Sequence, residues 1–568
     1  MTRDGPLVVQ SDGAILLDVH HPRAAVAREQ LAQFAQLEKS PEHVHFYRVA
    51  PVSVWNAAAL GLSATTICDF LVASSRYEVA TTVLEDIRGW HRRYGLLQLC
   101  EGEADAGLVL RCADRGTLTE LIAAPDLRAL LGNAAPQPRE DQWSVVVDVA
   151  ARGPIKRALT KLGYPVDDLA GYVEGADLSF ELREHTRSGA PFALRPYQEA
   201  SVAAFWAEGS TRGGCGVVVL PCGAGKTVVG IAAMQRVKKH SLVLTTNTVA
   251  VRQWRREVLD KTTLDDGQVG EYTAAAKEMR PVTIATYQIL THRRKRTDGF
   301  RHFALLEQGE WGLIVYDEVH LLPAPVFRAT ASIQACRRLG LTATLVREDG
   351  KEDEVFSLIG PKRYDVPWRE LERDGFLAPA RCVEVRVPFS DERRALYAAA
   401  GARQQYRLAS VNERKTDVVG DLLQRHAADR VLVIGQYLDQ LRGLARVFAL
   451  PLITGSTTNA ERERLYQAFR SGEVSRLAVS KVGNFAVDLP DANVAIQVSG
   501  TFGSRQEEAQ RLGRILRPKS DGATATFYSV VTDSSREQDF AAKRQRFLTG
   551  QGYSYRIVGQ RAGRVRLE

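Results

Sequence analysis

The chain has 568 residues, 45% hydrophobic and 25% charged, with a net charge of +8 and a pI near 9.1. That length allows three or four domains with cores of their own, and these proportions argue against a disordered or fibrous chain. Seven cysteines that never fall in C-x-x-C spacing, and no window near the roughly 18 apolar residues of a membrane span, set aside a disulfide scaffold, a zinc ribbon, an iron–sulfur cluster and a membrane protein.

The start, "MTRDGPLVVQSDG", carries no apolar signal core, so the expectation is a cytoplasmic protein whose basic lean suits a polyanionic partner. From Val8 to about Tyr94, short apolar runs ("AILLDV", "VHFYRV") alternate with amphipathic stretches ("AVAREQLAQFAQLE", "VATTVLEDIRGWHRRYG"), predicting a small mixed α/β, winged-helix-like unit over 1–94. A second small unit is expected over 95–185. There "LLQLCEGEADAGLVLRC" reads as a hairpin, "GTLTELIAA" and "DLRALLG" as helices, "GNAAPQPREDQ" as an exposed connection, and "WSVVVDVA" with "GPIKRALTKLGY" as a strand and a basic helix. From about Phe192, buried strands alternate with helices: "GVVVLP", "SLVLTT", "VTIATY", "GLIVYD", "RRLGLTAT". Near-continuous Val, Ile and Leu strands mean a parallel sheet covered on both faces. A second series follows Arg430: "RVLVIGQ", "LPLITG", "RLAVSK", "NVAIQV", "TATFYSVV". The predicted class is therefore α/β, two tandem parallel-sheet domains preceded by two small mixed α/β domains. Between the sheets, the stretch from Ser390 to His426 is charged and helical, and reads as too polar for a buried element.

The segment Leu220 to Thr227, "LPCGAGKT", departs from G-x-x-x-x-G-K-[ST] because Leu220 stands at the first glycine. It lies between a buried strand and an amphipathic helix, where backbone N–H groups and a helix N-terminus can take phosphate. Gly223 and Gly225 permit close backbone approach, Lys226 reaches the β and γ phosphates, and the Thr227 hydroxyl reaches Mg²⁺. Leu220 replaces only the outermost glycine, at the strand end. "GLIVYDEVH" then ends a second strand in two carboxylates, with Asp317 for the metal and Glu318 for the attacking water. Taken alone, the loop could be a glycine turn and "DEVH" a helix cap; their pairing favours ATP hydrolysis.

The order LRPYQ (Leu194 to Gln198), LPCGAGKT, DEVH (Asp317 to His320), LTAT (Leu341 to Thr344) and QRLGRILR (Gln510 to Arg517) resembles a superfamily 2 helicase core. The resemblance implies two RecA-like domains, at 186–385 and 426–568. It implies ATP and Mg²⁺ as ligands, with Arg195, Gln198, Pro221, Cys222, Gly223, Ala224, Gly225, Lys226, Thr227, Asp488 and Gln510 at the nucleotide, Gln198 reading adenine. Arg514 and Arg517 would reach the γ-phosphate from the second domain, which suits a transition state that needs added positive charge. "LTATLVRED", "SKVGNFAVDLPDANVAIQ" and "DEVHLLPAPVFR", with N-terminal "LVVQSDGAILLDVHHP" and "FAQLEKSPEHVHFYRV", are similar more narrowly to the XPB-type DNA repair helicases. Asn484 stands where that family is expected to be acidic, and the long basic tails of eukaryotic members are missing, which points to a bacterial-type member. The family implies 3′ to 5′ unwinding, a damage-recognition-like domain at 95–185, a thumb-like insert at 386–425, and strand separation by Arg347, Glu348 and Asp349.

The residues themselves suggest a nucleic-acid track. "TTNTVAVRQWRREV" places Thr246 and Asn247 at a strand end before a basic helix, and "TYQILTHRRKR" places Thr286 before four successive cations. Such groups suit phosphate contacts that carry no base information and are salt-sensitive. His320, Thr342 and Thr344 lie where they could couple the two sites. The resemblance, and not these residues, makes DNA the expected partner, with nucleoid association. The alternatives are a duplex-DNA translocase, an ATP-cycled clamp that recruits a nuclease without unwinding, and an RNA-acting core.

Overall fold

The computed structural model describes residues 4–39, 43–102, 107–132, 134–139, 141–170, 174–210, 213–221, 223–290, 292, 302, 309–321, 337–343, 352–366, 368–480, 492–500, 524–542, 555–561 and 564–565. These fall into four sheets. The first contains β1 (Leu7–Val9), β2 (Ala14–Asp18), β3 (Gln36–Lys39) and β4 (Val44–Arg48), antiparallel in the order β1-β2-β4-β3. The helix Ala24–Phe34 buries Ala24, Ala27, Leu31 and Phe34 on one stripe. It stops before the "QLE" that helical periodicity had included, and those residues become the edge strand β3 with Leu37 against the core.

The second sheet contains β5 (Leu97–Glu101), β6 (Leu108–Cys112), β7 (Gln137–Arg139), β8 (Gln142–Val147) and β9 (Val166–Asp168), in the order β7-β8-β6-β5-β9. Part of the expected polar connection forms β7 at the sheet edge, where Pro138 is tolerated.

The third sheet carries the candidate site. It contains β10 (Cys215–Val219), β11 (Ser241–Thr245), β12 (Val269–Tyr272), β13 (Val282–Thr286), β14 (Leu313–Asp317), β15 (Arg337–Thr342) and β16 (Lys362–Asp365). All seven run parallel in the order β12-β13-β11-β14-β15-β10-β16. Cores lie on both faces, which is why the strands read as unbroken apolar runs.

The fourth sheet contains β17 (Ala380–Val387), β18 (Val431–Gly435), β19 (Leu452–Ile453), β20 (Arg476–Ser480), β21 (Val494–Gln497), β22 (Ala525–Thr532), β23 (Tyr555–Arg561) and β24 (Arg564–Val565). Their order is β19-β20-β18-β21-β22-β17-β23-β24, parallel except for the β23–β24 hairpin. The architecture is thus the α/β one expected, two tandem parallel sheets after two small mixed ones. β17 crosses the boundary expected at 385 and pairs with β22 and β23, so it belongs to this sheet. Its buried Glu384 and the neighbouring Arg386 satisfy one another, Nε to Oε1 at 3.0 Å.

The charged stretch after Ser390 is not uniformly exposed. Its last helix, Lys415–Arg425, buries Val418, Val419, Leu422 and Leu423 in the core of the fourth sheet. These lie on one helical face, so a polar average concealed an amphipathic element. Lys415 is buried beside them, its Nζ donating to both Glu537 carboxylate oxygens at 2.8 Å and to the Val498 carbonyl at 2.8 Å.

Both small units dock on the third sheet through the helix Glu352–Ile359. Its Phe356 ring lies 5.8 Å from Trp55 and 6.5 Å from Tyr94, while the Lys362 N–H donates to Asn56 Oδ1 at 2.9 Å. The helix Arg152–Lys161 packs on the same element. Among the described residues no single helix is long and apolar enough to cross a membrane.

Candidate active site

A parallel sheet places all its carboxyl-terminal strand ends on one edge, and ligands bind in the crevice outside that edge. β10 delivers the phosphate-loop segment there. Leu220 is fully buried, its N–H donating to the Thr342 carbonyl at 3.0 Å, so the position that departs from the motif is filled by a core side chain at the strand end. The Ala224 N–H turns back to the Pro221 carbonyl at 3.2 Å. Gly223 and Gly225 have φ of +86° and +78°, and a Cβ on Gly225 would stand 2.6 Å from Gln198 Nε2. Only glycine fits that position without displacing its neighbour.

The loop is held from outside by the helix Pro196–Trp206. Tyr197 donates its hydroxyl to the Ala224 carbonyl at 2.8 Å, and Gln198 Nε2 donates to the same oxygen at 3.0 Å. Gln198 Oε1 in turn accepts the Arg195 N–H at 3.0 Å, while Arg195 Nη1 donates to the Tyr197 hydroxyl at 3.1 Å. Among the described residues, these bonds leave Gln198 one N–H and one lone pair. Lys226 and Thr227 begin the helix Lys226–Val237, whose N-terminal N–H groups face the loop.

β14 brings Asp317 and Glu318 to the same edge. β15 lies between β10 and β14, with Thr342 opposite Val219 and Leu341 opposite Asp317. Lys226 Nζ sits 3.5 Å from Glu318 Oε1, with both side chains largely buried. Burial, and then the neighbouring Glu318 charge, push the Asp317 carboxyl up to about 6, against the pull of Trp254 and Lys226. Asp317 Oδ2 accepts the Trp254 indole N–H at 2.9 Å, and its backbone carbonyl accepts the Tyr287 hydroxyl at 2.8 Å. Glu318 has φ +52°, a left-handed conformation that disfavours a side chain by roughly 1–3 kcal/mol. Its buried Oε2 accepts no hydrogen bond and lies 3.6 Å from His320 Nδ1. The same His320 nitrogen is 2.6 Å from Thr342 Oγ1, so the adjacent strand ends are connected. Two half-buried carboxylates, one with an oxygen lacking a donor among the described residues, next to a glycine cradle and a lysine, fit a divalent cation and phosphate together.

On the same edge, β11 and β13 carry the suspected track residues. Asn247 caps the helix Thr248–Lys261, accepting the Val249 and Ala250 N–H groups at 3.0 Å, and its Nδ2 donates to Thr246 Oγ1 at 3.1 Å. Gln288 Nε2 holds the Thr246 carbonyl at 2.8 Å, and buried Thr286 ends β13 opposite Thr245. The structure therefore brings Arg195, Gln198, Pro221, Gly223, Ala224, Gly225, Lys226, Thr227, Asp317, Glu318, His320 and Thr342 to one end of the edge, and Thr246, Asn247 and Thr286 to strand tips beside them. Cys222, Thr344, Arg347, Glu348, Asp349, Asp488, Gln510, Arg514, Arg517 and the cations of "HRRKR" lie outside the described residues. Tyr197, Trp254 and Tyr287 were not singled out from the sequence. Each stood inside a quoted motif, but nothing local reveals the partner that its polar atom finds across the fold.

Three family models match the chain: the ERCC3/RAD25/XPB C-terminal helicase over residues 371–567, the type III restriction enzyme res subunit over 191–347, and a helicase conserved C-terminal domain over 7–135. The chain is 54% identical over 556 residues to the DNA 3′-5′ helicase XPB of Kineococcus radiotolerans, covering 98% of this chain and 96% of that protein. It is 52% identical to the DNA 3′-5′ helicase XPB of Mycobacterium tuberculosis, covering 98% of each. It is 33% identical to the general transcription and DNA repair factor IIH helicase/translocase subunit XPB/SSL2 of Saccharomyces cerevisiae, covering 96% of this chain and 71% of that one. Among solved structures, the ATP-dependent Type ISP restriction-modification enzyme LlaBIII bound to DNA matches at a TM-score of 0.50 and 10% identity, over 79% of this chain and 40% of that one, a likeness of fold alone.

Proposed function

The chain belongs to the XPB family of DNA 3′-5′ helicases, and on that premise we propose that it is an ATP-dependent DNA helicase of DNA repair whose third sheet converts ATP hydrolysis into 3′ to 5′ movement. The observation that carries this reading is the convergence on one sheet edge of a phosphate cradle, a half-buried Asp317–Glu318 pair with Lys226 3.5 Å from Glu318, and the hydroxyl and amide tips of β11 and β13.

In this reading the loop N–H groups and Lys226 bind the β and γ phosphates, and Gln198 uses its remaining N–H and lone pair on adenine. The Thr227 hydroxyl and the Asp317 carboxylate would hold Mg²⁺, which would supply the positive charge that phosphoryl transfer requires. Glu318 orients the attacking water through the Oε2 that accepts no hydrogen bond in the structure. Arg514 and Arg517 complete the charge from the second lobe, so hydrolysis depends on closure. Thr246, Asn247 and Thr286 hold backbone phosphates, and each closure and release shifts that grip along one strand. His320 and Thr342 pass the state of Glu318 to the neighbouring strand.

The finer division follows the resemblance: an N-terminal unit at 1–94, a damage-recognition-like unit at 95–185, ATP-binding and C-terminal lobes at 186–385 and 426–568, and a thumb-like insert at 386–425. β17 moves the start of the second lobe's sheet to Ala380. Arg347, Glu348 and Asp349 separate strands beside the coupling residue Thr344, Asp488 and Gln510 complete the nucleotide site with Cys222, and the protein works in the cytoplasm on the nucleoid.

The test is ATP turnover with single-stranded DNA, blunt duplex DNA and RNA, run with strand displacement on 3′-tailed and 5′-tailed duplexes. Stimulation by DNA and opening of the 3′-tailed substrate alone are expected, and Glu318→Gln should lower turnover by about 10²-fold or more. Stimulation by duplex DNA without displacement would replace this reading with a translocase, or with a clamp that serves a nuclease partner.

A further inference from the structure

We propose that Trp254 and Tyr287 are positioning residues that tie the DNA track to the metal-site carboxylate, an inference that rests on the function proposed above. Among the described residues, two side-chain hydrogen bonds reach Asp317 from other elements, and each starts from a track-bearing segment. Thr246 and Asn247 lead into the helix Thr248–Lys261, and one face of that helix carries Trp254, whose Nε1 donates to Asp317 Oδ2 at 2.9 Å. Thr286 is followed at once by Tyr287, whose hydroxyl donates to the Asp317 backbone carbonyl at 2.8 Å. One contact fixes the side chain of Asp317 and the other fixes its peptide.

The indole is fixed in turn. Trp254 is 1% exposed and lies between its own helix and the phosphate-loop helix, where a Cβ on Gly230 would stand 2.4 Å from Trp254 Cη2 and 3.1 Å from Leu341 Cδ1. Glycine inside a helix is destabilising relative to alanine by roughly 0.5–1 kcal/mol, and here the ring occupies the space a side chain would need. A small rotation of the helix Thr248–Lys261 on binding phosphate at its N-terminus would therefore move the indole N–H, because the ring is packed against the phosphate-loop helix. The Asp317 oxygen left without that donor would be free to rotate away from the cation. This is a contiguous physical route between two sites, each of which can bias it.

The experiment uses the full chain with Trp254→Phe and, separately, Tyr287→Phe, each of which keeps a ring and removes one donor. The first readout is equilibrium binding of a fluorescent non-hydrolysable ATP analogue in Mg²⁺ and in EDTA; the second is the ratio of turnover with and without single-stranded DNA. Trp254→Phe is expected to weaken nucleotide binding about 10-fold in Mg²⁺ and not in EDTA, as loss of a hydrogen bond to a charged acceptor would. Both variants are expected to lose most of the DNA stimulation. Wild-type Mg²⁺ dependence and wild-type stimulation in both variants would overturn the inference. So would an equal loss of affinity in Mg²⁺ and EDTA with a lowered melting temperature, because that describes a core ring and nothing more. If Trp254→Phe does not fold, Tyr287→Phe decides on the stimulation ratio. A wild-type chain that does not hydrolyse ATP would sink the functional reading instead, while the Mg²⁺-linked affinity would still decide the Trp254 contact.

Discussion

Asp317 and Glu318 are sequence neighbours at the end of β14, and their surroundings separate their roles. Asp317 is enclosed beneath Trp254 and Tyr287, whereas Glu318 turns into the cleft on a left-handed backbone toward Lys226. Burial is the first cause of the Asp317 carboxyl rising from 3.8 to about 6. Because its folded value lies above the ordinary one, this group favours folding fully below about pH 3.8, and that contribution is lost as pH rises through about 6. Cation binding runs the other way, since the metal needs the ionised form. The Mg²⁺ concentration for half-maximal turnover should therefore rise by about tenfold per pH unit below pH 6 and level off above it. Mg²⁺ titrations from pH 5 to 8 check this; a flat requirement would mean that Asp317 is ionised throughout.

At the scale of elements, the helix Lys415–Arg425 is fastened to the fourth sheet by a buried ion pair as well as by its apolar face. Lys415→Met would leave Glu537 charged and enclosed beside the Thr532 N–H, and should destabilise the second lobe by about 3–5 kcal/mol. Replacing Glu537 by Leu as well should recover much of that loss; melting of the three variants measures it, and an unshifted Lys415→Met transition would show that the pair is not needed. This helix also shows where sequence reading stopped. The strands of the third sheet were legible because their burial on both faces leaves unbroken Val, Ile and Leu, and the loop and "DEVH" were legible because their spacing from strand ends is local. The apolar face of Lys415–Arg425 was diluted by neighbouring charge, and β17 was concealed by Arg381, Glu384 and Arg386 between its Val residues. Trp254, Tyr287 and Tyr197 were illegible as site residues because their meaning lies in a partner distant in sequence. In sequence, Trp254 reads as an ordinary part of a basic helix.

Across the whole molecule, the candidate nucleotide-binding residues on the third sheet form only half of the site proposed for a two-lobed motor. In the proposed mechanism Arg514 and Arg517 supply the remaining positive charge. Arg514→Ala should therefore bind ATP within about threefold of wild type and hydrolyse it about 10³-fold more slowly, as loss of a transition-state arginine does. Nucleotide titration beside single-turnover hydrolysis separates the two effects; loss of binding would instead mean a damaged fold. The small N-terminal units take their place on one side of this division, since Trp55, Tyr94 and the helix Arg152–Lys161 all meet the helix Glu352–Ile359, which packs on β10 and β15.

The placement of β17 has a further consequence, for the order in which a ribosome delivers this protein. All seven strands of the third sheet are in hand once Asp365 has been synthesised, so that lobe can close while the rest is being made. β17 emerges next and waits, because its two neighbours are Ala525–Thr532 and Tyr555–Arg561 near the far end of the chain. Until they arrive, its backbone edges face solvent or chaperone, and the second lobe is the part of the nascent chain most open to wrong pairing.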